Sequence, residues 1–165
     1  MKLLRSELAS EFNNKFFDMS AKELPERGLV FTDDHISCEL SVTSVQFGFQ
    51  ISGEIKATTK YECVRCLCAC PLNLTLPFKM WLTHREKISD KEQDLVYFPD
   101  TQDHIELNEP IADMISLAEP MNPICNENCK GLCPQCGTNL NQTPCDCKTY
   151  ENDSPWDALK ILKPK

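Results

Sequence analysis

Cysteine is the residue whose type and spacing in this chain promise chemistry. Eight of the 11 cysteines fall into four close pairs: Cys63/Cys66, Cys125/Cys129, Cys133/Cys136 and Cys145/Cys147. Such a pair can turn both sulfurs toward one tetrahedral ion. Two pairs complete a four-sulfur shell that Zn2+ accepts without redox cost. Cys133-Pro-Gln-Cys136-Gly137 is the strongest local signal. A tight turn there aims backbone amides at sulfur, and glycine after the second ligand admits the left-handed conformation the turn needs. Cys145-Asp-Cys147 supplies the second half of a short four-sulfur site. Cys125/Cys129 are the natural partners of Cys63/Cys66, and a swap that joins Cys63/Cys66 to Cys133/Cys136 is the competing arrangement. The expected cofactor is one or two structural Zn2+ ions. Iron in a rubredoxin-like shell fits the same knuckles.

Other chemistries find less support. A redox Cys-x-x-Cys opens a helix in a βαβ unit, whereas Cys63/Cys66 lies between alternating segments. His35, His84 and His104 are scattered in polar contexts. There is no phosphate-cradling glycine loop, nucleophile elbow or histidine–glutamate zinc helix. The chain is therefore expected not to be an enzyme and to take no small-molecule substrate. Cys38, Cys68 and Cys70 stand in phase with apolar positions, where cysteine acts as a small hydrophobe.

The elements that must position these cysteines are mostly strands. Cys38, Leu40 and Val42 alternate with polar residues. After a phase slip near Ser44, Val45, Phe47, Phe49, Ile51, Ile55 and Ala57 alternate as far as Tyr61 and Cys63. Gly48 and Gly53 are candidates for relieving crowding along this run. Alternation resumes from Cys68 through Leu72, Leu74, Leu76, Phe78, Met80 and Leu82. Period two predicts antiparallel strands with one buried face, and it places Cys63–Cys66 at a hairpin turn. Leu8, Phe12 and Phe16 share a helical spacing. Residues 84–104 read as a polar, acidic loop with a short strand at Leu95–Phe98. Asn108 as cap, Pro110 in the first turn and a stripe of Ile111, Met114, Ile115 and Ala118 predict a helix that Pro120 and Pro123 stop. Residues 124–148 have almost no apolar periodicity, so their ordering energy must come from metal. Ser154-Pro155-Trp156-Asp157 opens a closing helix with Trp156, Leu159 and Leu162 on its apolar face. The fold class expected is α+β: an antiparallel β-sheet or partly open barrel, a few helices and a C-terminal Cys-rich, zinc-ribbon-like segment. It divides into a body (1–119, with the acidic loop at 84–104 and the helix at 109–118), a metal-binding ribbon (120–150) and a C-terminal helix packed on the body (151–165).

At 165 residues, 41% hydrophobic and 25% charged, the chain has the composition of a globular protein. No apolar run reaches the roughly 20 residues a membrane span needs. The N-terminus lacks the apolar core of a signal peptide. The expected setting is the reducing cytoplasm, where thiols persist. The net charge of −8 is uneven, since residues 84–119 carry three positive and ten negative side chains. A strong general nucleic-acid binder shows a basic footprint instead.

From about Val45 onward the chain resembles the YceD family, the large ribosomal RNA subunit accumulation proteins. The resemblance rests on Cys63-Val-Arg-Cys66-Leu67, on Ile105-Glu-Leu with the helix and Pro120 to Cys125, and on Cys129-Lys-Gly-Leu-Cys-Pro-Gln-Cys-Gly-Thr-Asn-Leu-Asn141 with Cys145-Asp-Cys147. The closing Pro155-Trp156, Leu159 and Leu162 add to it. It implies a bacterial or plastid protein needed for 23S ribosomal RNA accumulation and large-subunit assembly. Its partners would be 23S RNA or its precursor, a large-subunit ribosomal protein, or both. Some members lack the Cys133-to-Cys147 set, which implies a stabilising or specificity module. Arg65, Lys130 and Lys148 lie beside the proposed ligands, and Lys160, Lys163 and Lys165 cluster at the terminus. These are the candidate RNA contacts. The rival functions are an acidic adaptor clasping a basic protein and a thiol redox or metal-transfer protein.

Overall fold

A computed structural model of the protein describes residues 1–85 and 95–147. Its elements in chain order are β1 (Lys2–Leu4), α1 (Arg5–Ala9), β2 (Phe12–Met19), a 3-10 turn (Ala21–Glu23), β3 (Ile36–Val45), β4 (Gly48–Glu62), β5 (Ala69–Thr83), β6 (Leu95–Tyr97), β7 (His104–Glu106) and α2 (Asn108–Ala118). The class is α+β. A five-stranded sheet runs β2-β3-β4-β5-β6, antiparallel except for the β5/β6 pair, and β1 pairs with β7 in a second small sheet. The larger sheet is open; it does not close into a barrel.

The phase slip near Ser44 is explained by hairpin arithmetic. Val45 pairs with Gly48 across a two-residue turn, so even-numbered residues of β3 face odd-numbered residues of β4. Cys38, Leu40 and Val42 therefore share a face with Ile51, Ile55 and Ala57, all buried. The β4/β5 hairpin reverses parity again, matching Ile55 to Leu76 and Ala57 to Leu74. Both expected glycines sit at close approaches. A Cβ on Gly53 would lie 1.9 Å from Glu39 O, and one on Gly48 would lie 1.9 Å from Leu82 O.

The buried face is covered by α2 through Ile111, Ala112 and Ile115, and by Leu3, Leu8, Phe98, Ile105 and Leu107. Met114 and Ala118 pack at its margin. The structure decides the open N-terminal spacing and corrects the expected helix cap. Phe12 and Phe16 lie on β2 rather than on a helical face with Leu8, because edge pairing with β3 outcompetes a helix too short to nucleate. Asn108 is the first helical residue rather than the cap, which is Leu107. Its side-chain amide donates to Glu23 O at 2.9 Å, and its Oδ1 accepts from the Met1 amine. A long-range tie has replaced the local one.

β4 and β5 pair along their whole length, from Gly48↔Thr83 to Glu62↔Ala69. Fifteen residues of strand reach about 45 Å at ~3.3 Å per residue. The apolar core lines this ribbon from the Thr83 end as far as Ala57 and Leu74, with Leu72 packed at its margin. The far end carries the turn that holds Cys63 and Cys66.

Candidate metal centres at the tip of the β4/β5 hairpin

Cys63 follows β4 directly. Its N–H donates to Cys68 O at 2.9 Å, and Leu67 N–H donates back to Cys63 O at 2.9 Å. Leu67 closes this knuckle in the left-handed region, with φ +57. The chain that leaves α2 docks against the turn. Val64 N–H donates to Pro123 O at 2.9 Å, and Tyr61 OH donates to Ile124 O at 3.2 Å. These bonds deliver Cys125 and then Cys129. The sulfurs of Cys63, Cys66, Cys125 and Cys129 all lie within 4.8 Å of one another. Around them is a second, small buried cluster in which Ile124 and Leu132 pack on the cysteines themselves.

A second group, Cys133, Cys136, Cys145 and Cys147, meets the same 4.8 Å limit. Cys133 N–H donates to Thr138 O at 2.8 Å and Gly137 N–H donates to Cys133 O at 2.9 Å, with Gly137 at φ +72. This repeats the Cys63–Leu67 knuckle, with glycine in place of leucine at the left-handed position. The competing pairing of Cys63/Cys66 with Cys133/Cys136 is not what the structure assembles.

The two groups are braced together. Leu132 N–H donates to Arg65 O at 3.0 Å, and a Cβ on Gly131 would lie 3.0 Å from that same oxygen. The Arg65 guanidinium donates to Cys129 O at 3.2 Å. Asn141, in the chain between the two cysteine pairs of the second group, reaches back to the first group. Its Nδ2 donates to Cys129 Sγ at 3.3 Å and to Asn139 Oδ1 at 3.0 Å, while its Oδ1 accepts from Lys130 N–H at 2.8 Å. Asn141 was visible only as part of a motif, because nothing in its spacing marks an amide as a sulfur partner.

Local donors divide each group into two lowered and two raised thiols. At Cys63 burial pushes the thiol up, but the amides of Cys125, Cys66 and Arg65 outweigh it and hold the group down at about 6. At Cys129 burial is again opposed, by Asn141 and the Gly131 amide, and the thiol is lowered. The Cys68 amide favours the Cys66 thiolate, yet the Cys68 sulfur, burial and the neighbouring thiols push it up to about 11. The sulfur of Cys129 and burial raise Cys125. In the second group, the amides of Cys136 and Gln135 lower Cys133. The Thr138 side chain and amide hold Cys136 at about 6. Cys145 is raised chiefly by Cys133, and Cys147 is pushed up to about 12 chiefly by Cys136. A divalent ion would supply the positive charge that lets all four sulfurs ionise together. Thiolate donors in this number suit Zn2+ or iron.

Among the remaining candidates, Lys130 and Arg65 are both exposed, and Arg65 donates from Nη1 to the carbonyls of Cys129 and Glu127. Lys148, Lys160 and Lys163, Lys165 and the closing helix lie outside the described residues. Cys38 is fully buried among apolar residues as expected, and desolvation pushes its thiol up to about 11. Cys68 and Cys70 depart from expectation. They are half-buried rather than core residues, with Cys68 Sγ 3.1 Å from Cys66 Sγ and 3.5 Å from Cys70 Sγ. The apolar face ends at Leu72 and Leu74, so alternation beyond it points toward the knuckle and not into the core.

Residues 51–163 match the family described as Large ribosomal RNA subunit accumulation protein YceD. The chain belongs to this family. An uncharacterized protein of Mycobacterium tuberculosis is 32% identical over 111 residues, 66% of this chain and 53% of its own. Two chloroplastic proteins are named Large ribosomal RNA subunit accumulation protein YCED homolog 1. The Arabidopsis thaliana protein is 35% identical over 71 residues, 43% of this chain and 22% of its own. The Zea mays protein is 46% identical over 56 residues, 33% and 19%. The chain spans about half the length of the mycobacterial relative. No solved structure matches. Among the described residues, no helix is long and apolar enough to cross a membrane.

Proposed function

We propose that this YceD-family protein is a non-catalytic ribosome-biogenesis factor that promotes accumulation of 23S ribosomal RNA and assembly of the large subunit. Its Cys63/Cys66/Cys125/Cys129 and Cys133/Cys136/Cys145/Cys147 groups each hold one structural Zn2+, and the surface so stabilised meets pre-ribosomal RNA or a ribosomal protein in the cytoplasm. The observation that carries the reading is the joining of two four-sulfur groups to a family match that spans both of them. Lys130, Lys148, Lys160 and Lys163 are the side chains assigned to phosphate. Arg65 is assigned to phosphate with them, since it is exposed and only its Nη1 is engaged, with Cys129 O at 3.2 Å and Glu127 O at 3.5 Å.

The acidic-adaptor reading loses ground on one observation. Four of the acidic side chains in 84–119 already face the chain's own cations: Asp100 with Arg5, Glu106 with Lys2, and Glu109 and Asp113 with Arg27. The deciding experiment combines metal analysis of purified protein with electrophoretic shifts on 23S fragments across a salt series. Two ions per chain and a salt-sensitive complex support the reading. A folded, metal-free protein, or one that shifts no RNA and captures no large-subunit ribosomal protein, overturns it.

A further inference from the structure

The sulfur at the hairpin tip exceeds what one tetrahedral shell can use. Cys66 belongs to the first four-sulfur group, but its sulfur lies 3.1 Å from that of Cys68, closer than the 3.6 Å to its fellow group member Cys125. Cys68 in turn lies 3.5 Å from Cys70. A row of three sulfurs thus leads outward from the candidate ion. Leu67, turned into the left-handed region, folds residues 66–68 so that the two side chains converge. Access is graded along this row: Cys66 is buried, whereas Cys68 and Cys70 are half-buried. No such extra sulfur contact appears at the second group among the described residues. Cys38 makes the opposite contrast, since it is sealed in the apolar core.

We propose that Cys68 is an oxidative modification site for hydroperoxides, and that its oxidation unloads the first metal centre. The inference rests on that centre holding metal as proposed above. Hydrogen peroxide transfers one oxygen to Cys68, giving a sulfenic acid and one water. The Cys66 thiolate then attacks the Cys68 sulfur, forming the S–S bond and expelling hydroxide, which takes a proton from solvent and leaves as a second water. One thiol, one thiolate, one proton and one peroxide therefore become one disulfide and two waters, with the peroxide reduced and the sulfurs oxidised by two electrons. Cys66 can no longer serve as a thiolate ligand, so the shell drops to three sulfurs and its ion is lost. A dithiol reductant takes the two electrons back and restores the site. Because the shell also ties Pro123–Cys129 to the hairpin turn, oxidation frees that segment as well.

The test uses the full-length, metal-loaded protein. Metal content is measured first in the reduced state, and absence of metal there defeats the functional reading itself. Hydrogen peroxide is then added while released ion is followed with a chromophoric chelator and disulfides are mapped by peptide mass spectrometry. The expected result is a Cys66–Cys68 disulfide, formed together with release of one ion per chain and reversed by dithiothreitol. In Cys68→Ser, which keeps both four-sulfur groups, that release should slow at least tenfold, and Cys70→Ser should release like the unaltered protein. Either of two results overturns the proposal: a Cys68–Cys70 disulfide with both ions retained, or equal release from Cys68→Ser and the unaltered protein.

Discussion

The body of the molecule and its hairpin tip solve the same folding problem with different materials. In the body, Leu40, Val42, Ile51, Ile55, Phe78, Ile111 and Ile115 remove apolar surface from water, and cysteine enters only as Cys38. At the tip the buried cluster is Cys63, Cys66 and Cys129, and among the described residues its packing partners are Cys68, Cys125 and the two aliphatic side chains Ile124 and Leu132. Too little hydrocarbon is available there to offset the entropy of ordering 120–147. The two regions also treat one side chain in opposite ways. Cys38 meets no amide donor and burial pushes it up to about 11, whereas Cys63, equally buried but facing three N–H groups, is held down at about 6. Burial makes a thiol inert, and burial with donors makes it a ligand.

The comparison breaks most visibly on chelation. Structural zinc contributes ~10–16 kcal/mol of apparent binding free energy per site, so its removal should melt the tip. The expected outcome is rapid proteolysis within 120–147, while hydrogen exchange in β3 and β4 stays slow. Equal loss of protection in both regions would show a single cooperative unit instead. The converse test is Ile55→Ala. Ile55 is fully buried, and truncation should cost about 2–5 kcal/mol of denaturant stability while two ions per chain remain bound.

Acid should sharpen the difference further. Near neutral pH, ion binding at the first group should expel protons mainly from Cys66 and Cys125, the raised pair, rather than from Cys63 and Cys129, the lowered pair. As pH falls through about 6, Cys63 and Cys136 also take up protons in the metal-free state. Affinity at both groups should therefore drop more steeply below that pH than above it. Metal occupancy in competition with a chelator between pH 8 and 5 measures this, and a pH-independent occupancy would rule out thiolate ligation. The body has no matching dependence on these thiols.

The smallest expected effect belongs to Asn141→Ala. Loss of its amide contact to Cys129 Sγ and of its bond from Lys130 N–H should weaken metal binding at the first group about 10–100-fold, as removal of outer-shell partners usually does. The denaturation midpoint of the body should not move. If it does, the tip and body are coupled more tightly than their separate cores imply.

Local spacing alone determined a good deal. Period-two alternation located β3, β4 and β5, because each strand has one buried face and the pleat repeats every second residue. Cys-x-x-Cys and its following residue located both knuckles, because ligand geometry is written within five residues. The apolar stripe located α2. The tertiary structure decided what local spacing leaves open. It seated Cys125/Cys129 beside Cys63/Cys66 through Val64 and Tyr61, bonds spanning about sixty residues that no periodicity encodes. It drew Phe12 and Phe16 onto an edge strand, turned Asn108 from cap to clamp, and placed Cys68 against Cys66 instead of in the core. Each of these depends on partners distant in sequence, and a side chain's chemistry follows the partners it meets.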